Sequence, residues 1–213
     1  MRRMGIAMVV VAAIWAVIAG CGVGRMSAEE RGRELFRTCA PCHGADGGGL
    51  LALRTPGIAG LPDWYIRQEL HRFATNLRGA HPDDTEGHRM RPMARSLYRP
   101  GDVEAVSAYV SRLPRVLRNN VLTGNVDAGK TNYTMSCIAC HGPDGSGNMA
   151  VGAPPIAQQS DWYLVVQLKK FKSGMRGMNP DDTTGTQMHA MSLIMQDTTA
   201  MHDVVAYVKT LAR

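Results

Sequence analysis

Large rings are scarce in this chain. Three tryptophans, six tyrosines and three phenylalanines supply only 6% of 213 residues. A small domain with so few aromatics needs another source of buried apolar surface. Cysteine is scarce as well. Of the five present, four fall in two Cys-x-x-Cys pairs and the fifth, Cys21, ends an apolar run, which leaves no pair for a disulfide framework. Lysine is missing altogether between Glu29 and Asn120, where 14 arginines face 11 acidic residues, a balance of 14 − 11 = +3. From Val121 to Arg213, seven basic residues meet seven acidic ones and the net is zero. The cationic character of the chain is therefore concentrated in its first half.

What is present is a pattern used twice. Cys39-Ala40-Pro41-Cys42-His43 returns as Cys137-Ile138-Ala139-Cys140-His141. A lone Cys-x-x-Cys can be a redox dithiol or half of a zinc site. The adjacent histidine has no role in a dithiol, and two copies of Cys-x-x-Cys-His point to covalent haem attachment. The two thiols add to the haem vinyl groups and the histidine reaches the iron from the same short turn. Two covalently bound haem c groups also bring the apolar surface that the aromatics do not. Their propionates would add about four negative charges and nearly neutralise the formal +6, so the basic pI of the chain does not indicate nucleic-acid binding.

The N-terminus agrees with assembly outside the cytoplasm. Arg2 and Arg3 precede 17 uncharged residues from Met4 to Gly20, a layout of export signals and close to the shortest bilayer span. The run ends Ile18-Ala19-Gly20-Cys21, which resembles a lipoprotein signal. Lipidation at Cys21, retention as a membrane anchor, and cleavage near Ala28 are three alternatives, and the first two tether the protein to the membrane.

From the first haem cysteine to the end, the chain repeats without a gap at a displacement of 137 − 39 = 98 residues. Asp63-Trp64-Tyr65 returns as Asp161-Trp162-Tyr163, Arg78-Gly79 as Arg176-Gly177, and Pro82-Asp83-Asp84-Thr85 as Pro180-Asp181-Asp182-Thr183. The expected organisation is a signal or anchor over 1–28, a first domain over 29–113, a linker over 114–124 and a second domain over 125–213. Each copy reads as three helical segments around a loop-rich middle. The first covers about Glu29 to Thr38, or Asp127 to Met135. The second starts at Asp63 or Asp161 as N-cap, and the last carries an apolar stripe from Val103 to Leu113 or Met201 to Leu211.

If both copies bind haem alike, a distal ligand should recur at the same displacement. His71, His81, His88, His189 and His202 have no histidine partner, and only His88 stays as a minor distal candidate. Methionine recurs twice, at Met90 with Met188 and at Met93 with Met191.

At this point the chain resembles the tandem two-haem class I cytochromes c of the cytochrome c4 type. The resemblance covers about residues 29–213. It rests on the two haem motifs followed by Gly-x-Asp-Gly, on Pro56-Gly57-Ile58 and Pro154-Pro155-Ile156, and on the Trp-Tyr helix. It rests also on a methionine seven residues before an apolar position: Met90 before Leu97, and Met188 before Met195, where leucine is usual. The resemblance implies an all-α fold with one haem c in each of two tandem domains. Cys39, Cys42, Cys137 and Cys140 would attach the haems, and His43, Met90, His141 and Met188 would ligate iron, with Met93 and Met191 as runner-up ligands. The carbonyls of Pro56 and Pro154 would accept the imidazole N–H. Close crossings at Gly32 against Tyr109 and Gly129 against Tyr207 are implied too.

His/Met ligation fills both axial positions, which suits outer-sphere electron transfer. The expected function is a non-enzymatic electron carrier on the periplasmic face of the bacterial cytoplasmic membrane. It would run from a quinol-oxidising complex or a dehydrogenase towards a terminal oxidase. The alternatives are a fixed cytochrome subunit of a larger respiratory complex, and a two-haem peroxidase, which would need an open iron.

Overall fold

The computed structural model describes residues 26–116 and 121–211. The N-terminal apolar segment and Cys21 lie outside the described residues, as does 117–120 within the expected linker. The described residues are mostly helical. They contain no β-strand, only the isolated bridges Leu50–Thr55 and Asn148–Ala153, and no helix long and apolar enough to cross a membrane.

In the first half, helix α1 runs Ala28–His43, α2 Asp63–Ala74, α3 Thr85–Arg95 and α4 Asp102–Arg112. In the second, α5 is Val126–Ser136, α6 Ile138–His141, α7 Asp161–Lys172, α8 Thr183–Ser192 and α9 Thr198–Thr210. The first half therefore has one α-helix more than the expected three, α3, and the second half has two more, α8 and the short α6. Helices α3 and α8, which carry the paired methionines, were read from sequence as part of the loop-rich middle, because three glycines and prolines interrupt their apolar periodicity.

Helix α1 starts on a capping box. Glu30 N–H donates to Ser27 Oγ at 3.2 Å, and Ser27 N–H donates back to Glu30 Oε2 at 2.8 Å. The helix was expected to end near Thr38 but continues through the whole cysteine motif, Pro41 included, until Gly44 stops it at φ 85°. In the second half the same segment breaks at Cys137, between α5 and α6. One added residue explains the break. Two residues separate Phe36 from Cys39, and three separate Tyr133 from Cys137. An extra helical residue would rotate the motif by about 100° away from the face that buries Tyr133, so the helix yields instead.

Asp63 and Asp161 are first helical residues rather than N-caps, and neither Pro62 nor Ser160 before them makes a side-chain cap bond. Their carboxylates are drawn to other partners. Asp63 pairs with Arg67 at 3.1 Å, while Asp161 Oδ2 accepts from Val121 N–H at 2.6 Å and Leu122 N–H at 2.7 Å, tying the chain entering the second half to α7.

Each half is closed by its first helix lying on its last. A Cβ at Gly32 would overlap Ala105 O and sit 2.7 Å from Tyr109 Cβ, and a Cβ at Gly129 would overlap Asp203 O. Only glycine permits backbones to approach this closely. Around the crossings lie two small cores, Phe36 with Val106 and Val110, and Tyr133 with Met195, Met201, Val204 and Val208.

Candidate functional site

Each half holds a cavity floored by its cysteine motif and completed by residues of the other half, Tyr163 and Lys170 at the first and Tyr65 and Arg72 at the second. The first, of about 410 Å³, is lined by Cys39, Cys42, His43 and Pro56 on one side and by Met90 and Met93 on another. The second, of about 180 Å³, brings together Cys137, Cys140, His141, Pro154, Met188 and Met191. Both methionines of each pair therefore reach the cavity, since residues three apart share one helix face. His88 is exposed and stands outside the residues lining the first cavity.

The histidines are held in one orientation. His43 Nδ1 lies 2.9 Å from Pro56 O, and His141 Nδ1 lies 2.9 Å from Pro154 O. The N–H at Nδ1 is thus donated to a carbonyl, and the Nε2 lone pair is left as a donor to metal. Burial pushes both imidazoles below their ordinary pKa, against the opposing effect of the carbonyl bonds, so both are neutral and competent to ligate. The loop that presents Pro56 is pressed close. Gly49, at φ 80°, donates its N–H to His43 O at 2.7 Å, and a Cβ there would lie 2.6 Å from Pro56 C. Gly147 repeats this against Pro154.

The thiols do not suit a redox dithiol. Burial, reinforced by the neighbouring Cys42, pushes the Cys39 thiol up to about 11, and burial with Cys140 does the same to Cys137. A dithiol that exchanges needs a low-pKa thiolate. Among the described residues no cluster of three or more His, Cys, Asp or Glu is placed to hold a metal ion, so the zinc reading lacks further ligands. Paired thiols, a neutral buried imidazole, thioether sulfur and an apolar wall fit a covalently attached haem.

Sequence reasoning missed what lies between the cavities. Glu69, Arg72, Arg78 and Asp84 of the first half and Gln167, Lys170, Arg176 and Asp182 of the second are all buried, and they bond across the boundary between the halves. Arg72 Nε meets Asp182 Oδ1 at 3.0 Å; at the 98-residue offset, Lys170 Nζ meets Asp84 Oδ1 at 2.5 Å. Arg78 donates to Gln167 Oε1 at 2.9 Å, and Arg176 donates to Glu69 at 3.0 Å. Such reciprocal contacts are those of a two-fold axis relating the halves. Asp84 and Asp182 each do two jobs, for they also cap α3 and α8 by accepting from Gly87 N–H at 2.9 Å and Gly185 N–H at 3.1 Å. The available signal was the recurrence of Arg78-Gly79 and of the Pro-Asp-Asp-Thr run. Nothing in one-dimensional spacing shows that two copies face each other.

Comparison with known proteins agrees with the two-site geometry. The Cytochrome c family model matches residues 29–114 and again 126–212. The chain is 34% identical over 166 residues to the thiosulfate dehydrogenase electron acceptor of Stutzerimonas stutzeri, covering 72% of each protein. It is 34% identical over 131 residues to the Cbb3-type cytochrome c oxidase subunit CcoP of Rubrivivax gelatinosus, covering 60% of this chain and 38% of that protein. Among solved structures, cytochrome c4 of Acidithiobacillus ferrooxidans superimposes with a TM-score of 0.66 at 25% identity, over 82% of this chain and 99% of that one. The two Cys-x-x-Cys-His motifs carry two covalent haem c groups, and the protein transfers electrons rather than catalysing a reaction of its own. The chain belongs to the cytochrome c family, as a tandem of two cytochrome c domains of the dihaem, cytochrome c4 type.

Proposed function

We propose that this dihaem cytochrome accepts electrons from a dehydrogenase or a quinol-oxidising complex and delivers them towards a terminal oxidase, on the periplasmic face of the bacterial cytoplasmic membrane. Each haem supplies a one-electron ferric–ferrous couple when bound. Cys39 with Cys42 and Cys137 with Cys140 form the thioether links. His43 and His141 are the proximal ligands, oriented by Pro56 and Pro154. Met90 and Met188 are the distal ligands, with Met93 and Met191 beside them as packing.

The observation that carries this reading is the pairing, in both cavities, of a neutral buried histidine with methionine sulfur. With a histidine and a methionine to hold each haem iron, no coordination site would be left for peroxide, which disfavours the peroxidase alternative. Similarity to a protein named as an electron acceptor of thiosulfate dehydrogenase supports a dehydrogenase as donor. The second reading, a fixed subunit of an oxidase complex, is supported by the similarity to CcoP. Co-purification with a stoichiometric partner after detergent extraction separates the two.

An optical and magnetic-resonance redox titration tests the function. Two low-spin signals that bind neither peroxide nor carbon monoxide are expected. Replacing Met90 or Met188 by alanine should make the corresponding iron high-spin, whereas Met93→Ala and Met191→Ala should leave it low-spin; a high-spin component in the unsubstituted protein overturns the carrier. The tether, by lipid at Cys21 or by a retained N-terminal helix, is read by mass spectrometry of the purified protein, and a free N-terminus beyond residue 21 overturns it.

A further inference from the structure

The outward faces of α3 and α8 differ in charge. On α3 stand Arg89, Arg91 and Arg95; at the 98-residue offset the second half has Gln187, His189 and Leu193. Just beyond α3, the exposed ring of Tyr98 has the Arg99 guanidinium 6.0 Å from its centre, where the second half has Gln196 and Asp197.

None of Arg89, Arg91 and Arg95 pairs with a carboxylate among the described residues; their partners are neutral oxygens. Arg89 Nη2 donates to Leu53 O at 3.0 Å, Arg95 Nε donates to Ala74 O at 3.0 Å, and Arg91 Nε donates to Asn76 Oδ1 at 2.9 Å. Arg95 Nη2 donates to the same Asn76 oxygen. Two guanidinium ions thus converge on one amide oxygen with no protein carboxylate paired to either among the described residues, an arrangement whose repulsion an incoming carboxylate would relieve. Asn76 holds a left-handed backbone at φ 68°, where the second half has Gly174 at φ 75°. Either residue satisfies that conformation, but only asparagine supplies the shared acceptor.

The cluster borders the first cofactor cavity. Arg89 lines it beside Met90 and Met93, and its bond to Leu53 joins the cationic helix to a short apolar loop in which Leu50, Leu51 and Leu53 are 37%, 51% and 40% exposed. An apolar spot flanked by desolvation-tolerant arginines is the composition of a protein interface.

We propose that this face of the first domain is the docking surface for an acidic redox protein, whose carboxylates engage Arg91 and Arg95 while apolar atoms cover Leu50, Leu51 and Leu53. The second domain lacks the cationic half of this surface. The inference rests on the carrier function, which requires a partner to approach the cavity edge. That requirement favours a redox protein over an anionic membrane surface, which has no electron to exchange.

The test uses the holoprotein and a fluorescein-labelled octaglutamate peptide, with binding read by anisotropy over a salt series. Arg91→His with Arg95→Leu installs the residues that the second domain already carries in the same fold, and haem content with the absorption spectrum reports that the variant is intact. Affinity should fall about tenfold at low salt and its salt dependence should flatten. The converse variant, Gly174→Asn with His189→Arg and Leu193→Arg, should gain affinity. An unchanged affinity and salt slope in the double arginine variant overturns the proposal. So does tighter binding to vesicles containing phosphatidylglycerol, lost in that variant, which would assign the face to a membrane. Peptide binding does not depend on electron transfer, so failure here is distinct from failure of the redox titration.

Discussion

Two residues lie between Phe36 and Cys39, and three lie between Tyr133 and Cys137. The first domain runs one helix through its haem motif; the second breaks its helix at Cys137 and restarts. In both, the first-helix aromatic stays in the core and the motif histidine keeps its carbonyl partner at 2.9 Å. The difference teaches a ranking: cavity geometry is held, and helix continuity gives way, because a lost helical bond costs far less than a misplaced ligand and an emptied core. The seam repeats the lesson. Glu69 is an acid and its counterpart Gln167 is neutral, so one carboxylate faces both Arg78 and Arg176.

The sharpest way to break this comparison is to make the seam symmetric. Glu69→Gln leaves two buried guanidinium groups without a counter-charge, and a loss of about 3–5 kcal/mol is expected in denaturant unfolding, with the domains separating first. A loss under 1 kcal/mol would show that Gln167 already carries the seam. Next come the helix crossings. Gly129→Ala should destabilise by roughly 1–3 kcal/mol, and by more than Gly32→Ala, since Gly129 sits closer to the opposing backbone; equal effects would deny that the second crossing is the tighter.

A smaller effect tests the helix break directly. Deleting Met135, which is 79% exposed and gives up little packing, should fuse α5 and α6 and raise helical circular dichroism, with a gain of about 1 kcal/mol or less. Loss of haem attachment instead would show that the extra residue is needed by the motif. The smallest is a pH effect. Burial opposes ionisation of Glu86, but hydrogen bonds from Lys170 and Arg54 outweigh it and hold the carboxyl down at about 2. A carboxyl lowered in the folded state stabilises above its ordinary pKa, and that contribution is lost as pH falls from about 4.5 towards about 2. The seam should therefore loosen in acid, and Glu86→Thr, matching Thr184 of the second domain, should flatten that part of the stability profile.

Much of the site was legible in one dimension. A cysteine motif acts over five residues, so its chemistry is local, and a repeat at constant spacing brings the methionines with it. The helices bearing those methionines were not legible, because glycine and proline inside α3 and glycine inside α8 mask the periodicity while Asp84 and Asp182 start them by capping. The N-cap assignment of Asp63 and Asp161 failed for a related reason: their carboxylates found better partners in Arg67 and in the backbone at Val121 and Leu122.

The sequence alone determined the duplication, the two haem c motifs and the concentration of arginine in the first half, since each depends on residue type and on spacing along the chain. Only the tertiary structure decided which arginines are buried and which face outward. Arg72 and Arg78 are enclosed between the domains with carboxylate partners, while Arg91 and Arg95 converge on Asn76 at the surface without one. Charge along a chain is additive, but the role of a charge depends on what lies opposite it in space.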